Sequence, residues 1–417
     1  MLTMTSDFAR LWALGYTSLV PIVPPDADVS EHSSLFKRVG TRQDSRGKSP
    51  GVQGRDGKWR GFDWLPHVAD EQDLTRWDAM GAGVGIKTGK GLIAIDADTM
   101  REDLAEIVRD AVDVLVDLGG HTSSQRLGVF AMGAAPVQAT YLGYPHSTGL
   151  AFMDWLIGDQ TVSPAEHAHL FSEGIAQLPG CVFCWAPVDD YPLPAARPAN
   201  SPPVFGSFNN SIKIGPRTVA LWSRVLQAVP DSQLLLKAPA LKDASVQRAF
   251  VEMFQAQGIA PQRLLLRGPG GLAQMMQEYG DIDIALDPAP YNGGTTSLQA
   301  LWMGLPLVTL QGSNFAGRMG ASFMRALGRP EWVARDADGY VAIASKLAES
   351  CAALRAGRAE LRRQMHASPL CDIRAHTRQL EALFDKMWQL HCAGDTTRLI
   401  KPPAPESAPR KSPGRPG

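Results

Sequence analysis

The sequence lacks any apolar run long enough to cross a membrane, and its N-terminus lacks a basic stretch ahead of an apolar segment. The first absence argues against a membrane partner, and the second argues against secretion. Cysteines are few: five occur in 417 residues, an odd number that suggests reduced thiols rather than a disulfide framework. Cys181 and Cys184 are spaced C-x-x-C, but the sequence has no second pair to complete a zinc site. Burial of the thiols or chance therefore explains this spacing better than metal binding. These features predict a cytoplasmic protein.

Neither positive nor negative charge is in excess, since the sequence has 41 Lys and Arg residues and 42 Asp and Glu residues. The net charge of −1 argues against a broad nucleic-acid-binding surface but leaves a local patch open. Internal repeats are also absent. The length suits two or three domains, and 44% hydrophobic residues are ordinary for a globular chain.

In the second half of the chain, short apolar runs of strand type alternate with amphipathic segments of helix type. The alternation begins at Val204, after a proline-rich stretch over residues 189–203 that reads as a linker. A final amphipathic helix is predicted over residues 373–390. Such alternation predicts an α/β fold with a doubly wound parallel sheet, whose ligands bind at the carboxyl ends of the strands.

Residues 282–310 (IDIALDPAPYNGGTTSLQALWMGLPLVTL) organise this half of the chain. They predict a buried strand, a turn containing Gly293 and Gly294, a helix that begins at Thr295, and a second strand. The first amides of a helix lack intrahelical partners and carry partial positive charge, and glycines allow a ligand to approach the backbone. A diphosphate site and an ordinary threonine-capped turn both remain open here.

The segment NGGTTSLQALWMGLPLVTL, followed by FAGRMGASFMRALG, closely resembles the catalytic domain of the O-linked N-acetylglucosamine transferases, glycosyltransferase family 41. The resemblance runs from about Val112 to about Met387. It implies a two-lobed B-type glycosyltransferase fold with a complete, Rossmann-like C-terminal lobe and a partial N-terminal lobe. It also implies inverting, metal-independent transfer of N-acetylglucosamine or a related hexose from a UDP-sugar to Ser or Thr of a polypeptide acceptor. UDP-GlcNAc is then a substrate, and no cofactor is expected for the transfer.

The resemblance assigns candidate site residues. Lys213, in GSFNNSIKI, falls on the family's diphosphate-contacting lysine and is the candidate catalytic residue, because a cation stabilises a leaving diphosphate. A surface lysine after a strand is the alternative. Asn210 falls where animal members carry a glutamine that reaches the donor. Thr295 and Thr296 match the family's pair at the diphosphate, and Gly294 precedes them.

Further assignments are weaker matches to the family pattern. Gln299 replaces an aspartate that bonds the ribose, and Met275 falls near the family's uridine-contacting histidine, so that contact is expected to be missing. Gly143 and Pro145 are candidate donor-binding residues on a loop of the N-terminal lobe. His121 and His146 lie on such loops and could meet a substrate or simply be bonded locally.

Residues 1–100 fall outside this match. The sequence shows neither the tetratricopeptide repeats of many family members nor the first half of their N-terminal lobe. Leu92–Ile95 reads as a strand that ends at Asp96 and Asp98, a DxD pair able to share Mg²⁺ or Mn²⁺ or merely to be a solvated strand end. LWALGYTSLVPIVP and WDAMGAGVGIKTGKGLIAIDAD resemble the start of the bifunctional primase–polymerase domain. That family's later histidine motif does not follow, which suggests a truncated module without polymerase activity.

The expected organisation therefore has five parts. They are a small α+β, primase-like segment (1–100), a partial N-terminal lobe (110–188), a linker (189–203), a C-terminal nucleotide-sugar lobe with a closing helix (204–393) and a disordered tail (394–417). A protein glycosyltransferase is the first hypothesis for function. The alternatives are an inactive UDP-sugar-binding remnant and a primase-type DNA enzyme.

Overall fold

The computed structural model describes residues 107, 110–122, 127–186, 191–195 and 197–402, and the backbone of four short strands before them. The strands are β1 Gly51–Gln53, β2 Trp59–Gly61, β3 Val84–Thr88, β4 Gly91–Ile95, β5 Val114–Asp117, β6 Val137–Tyr141, β7 Trp155–Asp159, β8 Gly174–Leu178, β9 Val204–Ser207, β10 Gln233–Lys237, β11 Leu264–Arg267, β12 Ile284–Leu286, β13 Leu307–Leu310, β14 Val333–Ala334 and β15 Leu399–Ile400. The α-helices are α1 Leu127–Ala131, α2 Pro216–Ala228, α3 Ala244–Gln255, α4 Leu272–Glu278, α5 Thr295–Trp302, α6 Met319–Leu327, α7 Ala337–Glu349, α8 Cys351–Ala356, α9 Arg358–His366 and α10 Ile373–Cys392.

The four N-terminal strands form two antiparallel pairs, β1 with β2 and β3 with β4. The strand predicted at Leu92–Ile95 is confirmed as β4, which begins one residue earlier. The DxD pair that follows it, Asp96 and Asp98, lies outside the described residues. The metal site predicted there therefore stays a prediction.

The second lobe is built on a parallel sheet with the strand order β11-β10-β9-β12-β13-β14. Helices connect these strands, because a parallel pair needs a crossover, so the predicted doubly wound sheet is confirmed. The direction of winding reverses between β9 and β12. Ligands of such folds bind where the order reverses, outside the carboxyl ends of the strands.

The first lobe is built on a second parallel sheet with the order β15-β8-β7-β6-β5. Apolar runs in the sequence predict strands over Val112–Leu118, Val137–Tyr141 and Trp155–Ile157, and the structure has β5, β6 and β7 there. They do not predict β8, whose apolar run is interrupted by Gln177. This side chain is buried, and its amide donates a 2.7 Å hydrogen bond to the carbonyl of Ser163. A buried polar residue in a strand is therefore stabilised by a bond that the sequence pattern does not reveal.

Two expectations about the C-terminal end need correction. Helix α10, which was assigned to the second lobe, packs against β6 and β8 of the first sheet. The hydroxyl of Tyr141, in β6, lies 2.7 Å from Nε2 of His376 on α10. The tail was expected to be disordered from residue 394, but Leu399–Ile400 pairs in parallel with β8. The edge of the first sheet offers unpaired backbone groups, and these two residues satisfy them.

One hydrophobic cluster spans the two lobes, because its buried side chains come from both sheets. Polar contacts reinforce it where α6 meets the end of β7. The Ser322 hydroxyl donates to the buried carboxylate of Asp159 over 2.6 Å, and Arg325 donates to the Thr161 hydroxyl over 2.9 Å. The rings of Phe183 and Phe323 pack edge to face at 5.1 Å. These contacts fix the second lobe against the first.

None of the helices in the described part of the chain is long and apolar enough to cross a membrane.

Candidate functional site

The loop after β9 carries two asparagines that point in different directions. Asn210 is exposed and accepts a 3.2 Å hydrogen bond from the amide of Ile212, so it caps the short 3-10 turn Ser211–Lys213. Asn209 is only 5% exposed and accepts a 2.9 Å bond from the hydroxyl of Thr296. Asn210 was the predicted donor contact, whereas Asn209 is the residue that joins this loop to the start of α5.

Lys213 lies at the end of the same turn and reaches the loop before α5. Its Nζ donates a 2.8 Å hydrogen bond to the carbonyl of Asn292 and lies 3.9 Å from the centre of the Tyr291 ring. Burial lowers the pKa of Lys213, and the negative charge of Asp287 opposes that shift. Within the described residues, no carboxylate forms an ion pair with this amine. Its charge is therefore available to an anionic ligand.

Asp287, at the carboxyl end of β12, organises the turn that leads to α5. Its side chain is fully buried. One carboxylate oxygen accepts the amide of Gly293 over 2.6 Å and the hydroxyl of Ser297 over 3.1 Å, and the other accepts the hydroxyl of Thr309 over 2.8 Å. Burial raises the pKa of Asp287 to about 6, against the lowering effect of these bonds and of Lys213.

Gly293 and Gly294 shape the approach to α5. A Cβ on Gly293 would lie 2.1 Å from Oγ of Ser297, so only glycine fits that close turn, while a Cβ on Gly294 would meet open space. No side chain of the described residues caps α5. Thr295 is exposed and Thr296 half-buried. The first amides of α5 therefore have no side-chain partner among the described residues and are suited to bind an anion.

Gln299 follows one turn later on α5. It is 7% exposed, and its Oε1 has no hydrogen-bond partner among the described residues. A buried carbonyl oxygen without a partner is costly, so a donor hydroxyl would satisfy it. Met275, on α4, is partly buried and packs against the core. It offers no polar atom for a base.

The predicted residues of the first lobe lie on the loop after β6. A Cβ on Gly143 would fall 1.9 Å from the carbonyl oxygen of Leu118, so this glycine lets the loops after β5 and β6 touch. Gly143 is exposed and Pro145 is buried. Among the described residues, no hydrogen bond joins either one to Lys213 or to α5. Their role in donor binding stays a prediction.

Both loop histidines are bonded within the first lobe. Nε2 of His121 lies 2.7 Å from the carbonyl of Thr148, and its buried Nδ1 has no partner in the described part of the chain. Nδ1 of His146 accepts the amide of Ser147 over 2.8 Å. Burial lowers the pKa of His146, which favours the neutral imidazole. These local bonds orient both rings, and contact of either ring with a substrate stays a prediction.

Sequence reasoning missed Asn209, Asp287 and Asn292. Asn292 is fully buried, with its side-chain amide donating to the carbonyl of Pro288 over 3.0 Å and its backbone carbonyl accepting from Lys213. All three follow the ends of β9 and β12, so their position at the switch point of the sheet was the signal available. The described residues contain no cluster of three or more His, Cys, Asp or Glu side chains suited to a metal ion.

Comparison with known proteins extends the motif resemblance. The model of Glycosyl transferase family 41 matches residues 95–192 and 189–380, so the match begins earlier than Val112 and includes Asp96 and Asp98. A probable UDP-N-acetylglucosamine–peptide N-acetylglucosaminyltransferase SPINDLY of Solanum lycopersicum is 39% identical over 297 residues, which cover 70% of this chain and 32% of the relative. The probable enzyme SEC of Arabidopsis thaliana is 32% identical over 325 residues, with 74% and 32% covered.

A solved structure agrees with these relatives. A mutant of the Thermobaculum terrenum O-GlcNAc transferase is 37% identical and superposes with a TM-score of 0.65, over 71% of this chain and 56% of that one. The two parallel sheets and this similarity confirm the predicted B-type glycosyltransferase fold. The chain spans only 32% of the length of the curated plant relatives.

Proposed function

We propose, because the chain belongs to glycosyltransferase family 41, that it transfers N-acetylglucosamine or a related hexose from a UDP-sugar to Ser or Thr hydroxyls of a polypeptide. The transfer inverts the anomeric carbon and needs no metal. The plant relatives are named as probable UDP-N-acetylglucosamine–peptide N-acetylglucosaminyltransferases, which supports the proposal. The resemblance of the NGGTTS and GSFNNSIKI motifs to the family supports it as well.

One observation carries the proposal. The amine of Lys213 lies 2.8 Å from the carbonyl of Asn292. Asn292 comes two residues before Gly294, which immediately precedes α5. A cation with no carboxylate partner among the described residues thus contacts the turn that leads into α5, a helix whose first amides no side chain caps. Both groups are suited to an anion with several oxygens, such as the diphosphate of a nucleotide sugar.

The arrangement accounts for how the transfer would proceed. As the bond between the sugar and the diphosphate breaks, negative charge grows on the leaving phosphate. Lys213 and the amides of Thr295 and Thr296 are held in place before the reaction, so they stabilise this charge without reorganising. The acceptor hydroxyl attacks the opposite face of the sugar as UDP departs, which inverts the anomeric carbon, and the proton of the hydroxyl passes to a phosphate oxygen of the donor.

The experiment is a transfer assay on the full chain with UDP-GlcNAc and a panel of other UDP-, GDP- and ADP-sugars. A Ser- and Thr-containing peptide pool serves as acceptor, and mass spectrometry detects the added hexose. Lys213→Met should abolish transfer, while the control Lys346→Met, at an exposed position on α7, should retain it. Transfer that survives Lys213→Met would remove the basis of the proposal.

Nucleotide binding without transfer is a second candidate. Met275 packs against the core where the family carries a base-contacting histidine, so one contact to the donor is missing. Calorimetric binding of UDP together with no transfer and no hydrolysis of any sugar nucleotide would favour this candidate. In either case we infer a reducing compartment such as the cytoplasm, because all five cysteines are unpaired thiols.

A further inference from the structure

A separate cleft of about 680 Å³ opens at the carboxyl end of the second sheet, beyond the loop that carries Pro290. Its walls come from one face of α2 and from the segments that follow β12, β13 and β14. Lys213, Thr295 and Thr296 do not line it. The cleft and the candidate diphosphate site are therefore lined by different residues.

The wall formed by α2 is a single stripe of that helix. Arg217, Ala220, Leu221 and Arg224 recur at helical spacing and all line the cleft. In the middle of the stripe are small and apolar side chains, and Leu310 adds apolar surface from the end of β13. The cleft thus combines an apolar floor with a guanidinium at each end of the helical stripe.

The charged side chains at the rim differ in whether they have a partner. Arg224 pairs with Asp338 over 2.5 Å, and Asp336 accepts the amide of Gly339 as the cap of α7. By contrast, Arg217 and Arg335 are exposed and have neither an ion pair nor a hydrogen bond within the part of the chain that the structure describes. Two free guanidiniums therefore face one cleft, and such groups favour carboxylates, which they bind with two parallel bonds.

We propose that this cleft binds an acidic segment of the polypeptide acceptor, with its carboxylates on Arg217 and Arg335 and an apolar side chain on Leu221. The inference rests on the proposed function, because it concerns the acceptor of that same transfer. Pro290 lines the cleft, and Asn292, two residues later, accepts the bond from Lys213. An extended chain advances roughly 3.3–3.6 Å per residue, so an acidic residue only a few positions from the acceptor Ser reaches the cleft.

The volume and the charge together favour a polypeptide over a small ion. A volume of about 680 Å³ lies in the range of sites for ligands much larger than a phosphate ion. The apolar floor gains nothing from a small inorganic anion, whereas a peptide with mixed acidic and apolar side chains uses both surfaces.

The test measures peptide binding directly on the full chain, without requiring transfer. The probes are a short fluorescently labelled peptide with a Ser and a Thr flanked by aspartates and leucines, and its matched asparagine version. Fluorescence anisotropy should show roughly tenfold tighter binding of the aspartate peptide to the wild type, since a carboxylate–guanidinium pair exceeds a neutral bond. The double variant Arg217→Ser/Arg335→Ser should lose this preference. Reversal to Arg217→Glu/Arg335→Glu should instead favour a lysine version of the peptide.

The control removes the same charge elsewhere. Arg374→Ser/Arg378→Ser, at exposed positions on α10, should keep the preference for aspartate. UDP affinity by calorimetry should be unchanged in both double variants, which separates this inference from the proposed function. Three results would overturn it: an equal loss in the control, a loss of UDP affinity in the Arg217→Ser/Arg335→Ser variant, or inorganic phosphate that displaces the peptide at concentrations comparable to its own.

Discussion

The hydroxyl of Thr296 donates a 2.9 Å hydrogen bond to Oδ1 of Asn209, across the gap between the ends of β12 and β9. A hydroxyl has one hydrogen, so in this arrangement Thr296 cannot donate to a bound diphosphate as well. Thr295, its exposed neighbour, has no side-chain hydrogen bond to any of the residues that the structure describes. Thr296 therefore ties α5 to the loop of Lys213, and we predict that the hydroxyl of Thr295 is the one that contacts the ligand.

This division of roles predicts different effects of two matched substitutions. Thr295→Val should weaken UDP binding by about 1 kcal/mol, the value of a hydrogen bond, and leave the thermal midpoint unchanged. Thr296→Val should leave the buried Oδ1 of Asn209 without its donor, which costs roughly 1–3 kcal/mol of stability. Calorimetric titration of UDP and thermal unfolding of both variants are the measurements. Thr295→Ser and Thr296→Ser keep the hydroxyls and serve as controls.

The opposite pattern would contradict the assignment. If Thr296→Val weakened UDP binding more than Thr295→Val while its thermal midpoint stayed that of the wild type, the Thr296 hydroxyl would be a ligand contact and not a tie to Asn209.

For Lys213 we predict a larger loss. Lys213→Ala should weaken UDP binding by about 1.5–3 kcal/mol, roughly 10- to 150-fold, because a charge-assisted bond to the diphosphate is removed. The loss should be smaller in high salt, although partial burial of the lysine limits screening. Calorimetry at two salt concentrations checks this, with Lys346→Ala as the exposed control. Unchanged affinity in Lys213→Ala would place the diphosphate elsewhere.

Asp287 predicts an unusual dependence of stability on pH. Burial raises its pKa from 3.8 to about 6, so between these values the folded chain holds a proton that the unfolded chain has released. The stabilisation from that proton is complete below about pH 4 and is lost as the pH rises through about 6. At about 1.4 kcal/mol per pKa unit, the loss amounts to ~3 kcal/mol.

The matched variant is Asp287→Asn, which keeps an acceptor for Gly293 but cannot titrate. Denaturant unfolding between pH 4 and 7 should show the wild type losing stability relative to this variant as the pH rises. A difference between the two proteins that did not vary with pH would mean that Asp287 has an ordinary pKa in the folded state.

Sequence patterns predicted the parts of the fold that depend on local periodicity. The apolar runs Val137–Tyr141 and Leu307–Leu310 predict β6 and β13 to the residue, and the turn glycines predict that α5 begins at Thr295. These predictions succeed because buried strands and turns have a distinctive local sequence. Helix α10 was predicted as an amphipathic helix, yet assigned to the wrong lobe. Amphipathicity shows that a helix buries one face, but not which neighbour covers that face.

The sequence likewise does not reveal which residues of the candidate site contact each other. Asn209 and Asn210 are identical neighbours, and only the backbone direction after β9 decides that one faces Thr296 and the other caps a turn. The sequence predicts Gly293 as a turn residue. It gives no sign that Asp287, the last residue of the preceding strand pattern, holds that turn in place. Its role depends on three donors that come from separate positions, including Thr309 on the next strand.

The last prediction concerns metal ions. Transfer, or at least slow hydrolysis of the UDP-sugar, should persist in EDTA, because Lys213 and the amides at the start of α5 already supply the positive charge that a metal would otherwise bring to the diphosphate. Asp96→Asn and Asp98→Asn should likewise leave the rate of transfer unchanged, whereas Lys213→Ala should reduce it sharply. The measurement is transfer to peptide with EDTA, and then with added Mg²⁺ or Mn²⁺. A rate that EDTA abolished, that Mn²⁺ restored and that fell in Asp96→Asn would assign the donor diphosphate to the DxD pair. In that case the amine of Lys213 would be a structural tie to Asn292, and its substitution would lower the thermal midpoint without changing the metal-dependent rate.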